Sequence, residues 1–223
     1  MSVHRAPTAV LFDLDGTLLD SIPDLSEACH RMMVELGRPP HDIEVIRTFV
    51  GKGMINLVRR CLAESGSAEE AEVDAAVEAF RRHYAVVNGE RTVIYPGVLE
   101  ALAAFEAAGV PMACVTNKPG AFTGPLLERT GIARFFGVTV SGDTLPDKKP
   151  HPAPLLHACS QLGVPAAAAW MIGDSANDAE AARAAGIPVL LVTYGYSEGR
   201  PVDSIECDGL LSSLVDALPR ILT

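Results

Sequence analysis

The stretch "AVLFDLDGTLLDS" (9–21) decides how this chain is read. An unbroken apolar run, Ala9 to Phe12, stops at Asp13; a second acid follows at Asp15, and Gly16-Thr17 turns the chain. A continuous apolar run, as opposed to an alternating one, marks a strand buried on both faces, as in a parallel sheet covered by helices. Side chains two apart in an extended segment point the same way, so both carboxylates can face one site. Like charges that close repel, and each is costly to desolvate. Something at this strand end must compensate for them. Gly16 permits the tight turn, and the small residues Gly16 and Thr17 let backbone N–H groups approach an anion such as phosphate.

Further apolar runs of the same kind recur along the chain. They are "TAVLFD" (8–13), "VPMACVT" (110–116), "FGVTVS" (136–141), "AAWMIGD" (168–174) and "IPVLLVT" (187–193). Between the later runs lie helical patterns at 97–109, 121–131, 153–163 and 177–186, most closing on a glycine suited to a helix C-terminus. Alternating strand and helix predicts an α/β fold, a doubly wound parallel sheet, in which ligands gather at the carboxyl ends of the strands. Asp13, Thr116 and Asp174 fall at such ends.

One interval breaks the rhythm. Residues 20–89 contain no good strand but four amphipathic stretches, 24–37, 42–51, 55–66 and 71–87, where a βαβ crossover needs only about 30 residues. The expected organisation is a core of 1–20 and 93–223 with a small α-helical cap, 21–92, inserted after the first strand and hinged near Ser21 and Val93–Pro96. Leaving from the carboxyl end of that strand, the insertion should overhang Asp13 as a lid.

Composition sets bounds without naming a chemistry. The 223 residues are 48% hydrophobic and 21% charged, as in a soluble globular protein. No apolar run reaches the roughly 18 residues of a membrane span, and "MSVHRAPTAV" has no signal-peptide layout. Five scattered cysteines without a CxxC pair suit reduced thiols in a cytoplasmic protein. A net charge of −10 argues against nucleic acid as partner, although a small anionic ligand answers only to the local field. A monomer or a homodimer is equally compatible with these features.

The chemistry-bearing residues cluster at the strand ends. Thr116 and Asn117 follow "MACV"; the threonine hydroxyl and the next amide can donate to a phosphate oxygen. In "KKPHP" (148–152), Lys148 reads as a solvated loop residue and His151 as a cap or packing residue. Lys149, held beside proline, can aim its ammonium at the strand ends. In "IGDSANDA" (172–179), Asp174 ends a strand and Asp178 lies one turn into the next helix, with Ser175 between them. The i, i+4 spacing brings both carboxylates to one side, though helix N-capping accounts for one of them. Three or four carboxylates with a threonine and a lysine select Mg²⁺, a hard cation that also accepts substrate phosphate oxygens. Asp13 could then attack phosphorus, with Asp15 giving a proton to the leaving oxygen and later taking one from water.

The ordered set "DLDGT", "VTN", "KKP" and "GDSANDA" resembles the haloacid dehalogenase superfamily over essentially the whole chain. The resemblance implies Asp13 as nucleophile and metal ligand, and Asp15 as acid/base with its carbonyl on the metal. It implies Thr116 and Asn117 as phosphate-binding, Lys149 as stabilising nucleophile and phosphate, Asp174 as a metal ligand, and Asp178 with Ser175 as supporting groups. The stretches "RTFVGKG" (47–53), "YPGV" (95–98), "ACVTNKP" (113–119) and "VTYGY" (192–196) are similar to those of bacterial phosphoglycolate phosphatases. That likeness implies Mg²⁺-dependent hydrolysis of 2-phosphoglycolate, a small anionic phosphorylated metabolite. It adds Gly51, Lys52 and Gly53 as substrate-binding candidates. Lys52 stands where many relatives carry Asn, and either contacts a substrate carboxylate or is a solvated loop residue; Arg47 is the second candidate for that contact. The same scaffold also serves phosphatases or phosphomutases of other small phosphoesters such as sugar phosphates. A phosphoacceptor signalling domain is the alternative outside enzymology.

Overall fold

The computed structural model describes residues 9–66 and 69–222. Thr8, the first residue of the first expected strand, and the amino-terminal segment read for a leader lie outside these.

The strands form where continuous apolar runs can be covered on both faces. They are β1 (Ala9–Phe12), β2 (Leu19–Asp20), β3 (Val93–Ile94), β4 (Met112–Val115), β5 (Val138–Val140), β6 (Ala169–Gly173), β7 (Val189–Val192) and β8 (Gly209–Leu211). Six of them make a parallel sheet in the order β5-β4-β1-β6-β7-β8. Alternation persists inside the apolar runs: Val10, Phe12, Cys114, Ile172 and Leu190 look to one face, and Ala9, Leu11, Ala113, Met171 and Leu191 to the other. The first face packs on α5 (Val98–Ala107), α6 (Gly120–Arg129) and α9 (Leu218–Ile221); the second packs on α7 (Ala153–Leu162) and α8 (Ala176–Ala185). This is the doubly wound parallel α/β sheet that the run pattern predicts. The sixth strand, β8, is too short to stand out in the sequence; it is recruited at the sheet edge by β7.

The helical interval folds as α1 (Ile22–Glu35), α2 (Ile43–Arg47), α3 (Met54–Glu64) and α4 (Glu70–Val87). Their apolar faces enclose a separate cluster, including Met32, Met33, Val58, Leu62, Phe80 and Tyr84, which Phe122 and Tyr196 join from the sheet side. The stretch 42–51 forms less helix than its periodicity suggests. Thr48 ends α2, where its carbonyl accepts Arg60 Nη1 at 2.6 Å and its own hydroxyl bonds back to Val45. The interval 21–92 begins directly after β2 and ends directly before β3, and those two short strands pair antiparallel, Leu19 with Ile94 and Asp20 with Val93.

Candidate active site

The sheet order places β1 between β4 and β6, with Phe12 in register with Cys114 on one side and Ile172 on the other. The residues that leave these strands therefore emerge together: Asp13 from β1, Thr116 from β4 and Asp174 from β6. The chain reverses direction across the sheet at this point, which opens a crevice at the strand ends.

Lys149 organises one side of it. Its ammonium lies 2.8 Å from Asp13 Oδ1 and donates to Asp178 Oδ1 at 2.7 Å, and its side chain is almost wholly buried. Asp178 Oδ2 accepts the N–H groups of Asp174 (3.2 Å) and Ser175 (3.1 Å) and the Ser175 hydroxyl (2.9 Å), a capping box at the start of α8. Asp174 Oδ2 accepts the N–H groups of Tyr196 (2.6 Å) and Ser197 (3.3 Å). Close packing fixes that carboxylate. A side chain at Gly16, whose φ is +89°, or at Gly195 would run into it.

Asp13, Asp174 and Asp178 each offer a carboxylate oxygen, and these lie within 4.8 Å of one another. Both oxygens of Asp178 are engaged by Lys149 and the helix cap, whereas Asp13 Oδ2 and Asp174 Oδ1 have no protein partner among the described residues. Two open carboxylate oxygens at adjacent strand ends fit a hard divalent cation. The electrostatics agree. Burial pushes the Asp13 carboxyl up to about 7, against the pull of Lys149 and with Asp178 and Asp15 adding repulsion. Burial, then Asp178 and Asp13, push Asp174 well above the usual carboxylate range. Burial alone would push Lys149 towards the neutral amine, but Asp13 and Asp178 overcome it and hold its pKa above the ordinary lysine value.

Asp15 lines the same cleft as Asp13 but takes different partners. Both its oxygens lie 2.9 Å from Lys118 Nζ, and Oδ1 also accepts the Ser21 hydroxyl at 2.5 Å. The Thr116 hydroxyl oxygen accepts the Lys118 N–H at 3.2 Å, and its proton has no acceptor among the described residues. The Asn117 side-chain amide donates to Gly51 O (2.9 Å) and Lys149 O (2.8 Å), tying three loops together. Thr17 is fully buried, and its hydroxyl oxygen has no hydrogen-bond partner among the described residues.

A cleft opens over this cluster. Asp13, Asp15, Thr116, Asn117 and Lys118 line it from the sheet, and Gly51, Gly53 and apolar side chains such as Met54, Leu57 and Phe80 line it from the helical layer. Arg47 and Lys52 are not among the lining residues. Arg47 lies over the Tyr196 ring, 5.5 Å from its centre, and Lys52 is half exposed with its ammonium 3.5 Å from Glu198 Oε2. Two site residues escaped the sequence reading, Lys118 and Tyr196. The first had a usable signal, because it stands two residues after Thr116, the same spacing that sets Asp15 beside Asp13. Tyr196 had none, since only folding brings a residue 22 positions beyond Asp174 onto its carboxylate.

Residues 10–192 match the model of a family described as haloacid dehalogenase-like hydrolases. The chain is 48% identical over 211 residues to a phosphoglycolate phosphatase of Thiobacillus denitrificans, covering 94% of this chain and 93% of that one. It is also 48% identical to a phosphoglycolate phosphatase of Cupriavidus necator, over 97% of this chain and 93% of the relative. Among solved structures, a predicted phosphoglycolate phosphatase from Haemophilus somnus superposes with a TM-score of 0.92 at 31% identity, covering 97% of this chain and 99% of the other.

Proposed function

This chain belongs to the haloacid dehalogenase-like hydrolase family, and from that premise we propose that it hydrolyses 2-phosphoglycolate to glycolate and phosphate through an aspartyl phosphate on Asp13. The coarser statement, that it is a phosphatase, rests on the family and on relatives that match it nearly end to end. The observation that carries the finer one is Asp13 at the crevice, with one oxygen on Lys149, the other open, and Asp15 two residues on.

In this reading Asp13 Oδ2 attacks phosphorus while the bond from phosphorus to the bridging oxygen breaks. Asp15 gives its proton to that oxygen, and glycolate leaves. Asp15 then takes a proton from water as the water oxygen attacks phosphorus and the bond to Asp13 breaks, returning the free carboxylate and inorganic phosphate. Lys149 neutralises charge beside Asp13, and Thr116 donates its hydroxyl to a phosphate oxygen. Asp13, Asp174 and the Asp15 carbonyl would hold Mg²⁺, with Asp178 and Ser175 fixing the loop beneath. The ion supplies charge neutralisation for the phosphoryl oxygens when bound. The 21–92 helices act as a cap that excludes water, with Gly51 and Gly53 closing one edge of the cleft.

The test is phosphate release from a panel of phosphoesters, with and without Mg²⁺. The proposal expects many turnovers per chain, Mg²⁺ dependence, and 2-phosphoglycolate ranked above sugar phosphates. A sugar phosphate ranked first would overturn the substrate, and a single stoichiometric phosphorylation without turnover would overturn the enzyme.

A further inference from the structure

The cleft has two ends of different character. At the metal end, acids outnumber cations, and Lys149 is already shared between Asp13 and Asp178. The wall contributed by the helical layer is apolar, with Leu25, Val50, Met54, Leu57 and Phe80 exposing no charge to the cavity. A substrate whose phosphate sits at Asp13 and whose other end is a carboxylate therefore needs a cation that neither end supplies.

Lys118 is the one cation among the described residues lining the cleft. It is a buried ammonium, its side chain only 3% exposed, fixed by both oxygens of Asp15 and lying 5.0 Å from the centre of the Tyr84 ring. An ammonium has three donors, and Asp15 takes two. Beside it Tyr84 lines the same cleft, its fully buried hydroxyl next to the Lys118 ammonium and with no other hydrogen-bond partner among the described residues. A hydroxyl that faces an ammonium still has its own proton to donate, and a ligand oxygen would accept it. The placement matches the substrate's own geometry. If Asp15 protonates the bridging oxygen, the carboxylate of glycolate is attached to the very next carbon, so a group bonded to Asp15 is within reach of it.

We infer that Lys118, with the Tyr84 hydroxyl as second donor, is the specificity-determining residue that binds the substrate carboxylate. The assignment rests on the proposed phosphoglycolate reading. It gives Lys118 a second partner besides Asp15 and removes that contact from Arg47 and Lys52. It also explains how a wall without charge can select an anionic substrate, since the selecting cation comes from the sheet side.

The experiment compares 2-phosphoglycolate with ethyl phosphate, which replaces the carboxylate by a methyl group, in the full-length Mg²⁺-loaded enzyme. The quantity read is the ratio of kcat/KM values. Lys118→Met should lower that preference at least ~20-fold, mostly through KM for phosphoglycolate, beyond whatever loss both substrates share. Tyr84→Phe keeps the side-chain volume and should raise KM for phosphoglycolate about fivefold while leaving ethyl phosphate unchanged; it decides the matter alone should the lysine variant not fold. Equal losses on both substrates in Lys118→Met would make this lysine a support for Asp15 only and overturn the assignment with the function intact. So would a collapse of preference that appears in Arg47→Met or Lys52→Met instead. A wild-type enzyme that does not prefer phosphoglycolate would fail the substrate reading first, and the assignment with it.

Discussion

Asp13 combines a chemical need with a thermodynamic burden. In the proposed reaction its carboxylate must be ionised to attack phosphorus, yet burial raises its pKa to about 7. A carboxyl raised above its unfolded value favours the protonated folded form. Without metal, its contribution to stability is therefore present at low pH and lost as pH rises from about 4 towards 7. Asp13→Asn removes the charge and keeps the shape. Its phosphate release should fall by about 10³-fold or more. Its metal-free melting temperature should exceed that of wild type at pH 8, with the gap narrowing towards pH 4. Substantial residual turnover, or a lower melting temperature at pH 8, would count against this account of the residue. The neighbouring glycines add a geometric constraint. A methyl group at Gly195 would overlap the Asp174 carboxylate and the Gly16 carbonyl, so Gly195→Ala should weaken Mg²⁺ activation about tenfold or more, read from phosphate release against Mg²⁺ concentration.

At the scale of elements, the crossing between sheet and helical layer is held by buried polar groups. Asp24, in the first turn of α1, is wholly buried and accepts the N–H groups of Gly89 (2.9 Å), Arg91 (2.8 Å) and Thr92 (3.0 Å) and the Thr92 hydroxyl (2.6 Å). It pins the return strand segment against the outgoing helix, next to the β2–β3 pair. Tyr196 does the same from the other side: its N–H binds Asp174, and its hydroxyl accepts the N–H groups of Ser21 (2.8 Å) and Ile22 (3.2 Å). The candidate metal carboxylate and the chain's exit into the helices thus share one residue. Asp24→Ala strands several buried donors at once and should lower unfolding stability by about 3 kcal/mol, measured by urea denaturation. A change under about 1 kcal/mol would mean that water replaces the carboxylate and that the crossing is not clamped there. The apolar periodicity of α1 contains no sign of this role, because an acid in a first helical turn reads simply as a favourable charge near the helix N-terminus.

For the molecule as a whole, the site concentrates negative charge that the fold does not neutralise. Four acids, Asp13, Asp15, Asp174 and Asp178, meet two buried lysines. Mg²⁺ should therefore stabilise the protein, and more strongly at pH 8 than at pH 5, because protons compete for the raised carboxyls of Asp13 and Asp174 at the lower pH. Thermal denaturation with Mg²⁺ or with chelator at the two pH values measures this. Equal shifts at both would remove these carboxyls from the binding equilibrium. Among the described residues no helix is long and apolar enough to cross a membrane.

The sequence by itself determined the sheet and pointed to most of the candidate site. Continuous apolar runs can be buried only between two helical layers, and residues at the ends of such runs must share an edge, so Asp13, Thr116 and Asp174 were legible as a group, with Lys149 added by its place beside proline. Local spacing also carried Asp15 beside Asp13 and Asp178 into its helix cap. Tertiary structure alone decided which partners those groups take. The pairing of Lys118 with Asp15, the placement of Tyr196 on Asp174, and the contacts of Arg47 with the Tyr196 ring and of Lys52 with Glu198 depend on the order in which strands assemble and on how the helical layer settles over them. Periodicity reports which face of an element is apolar; it holds no information about which distant side chain will meet that face's polar edge.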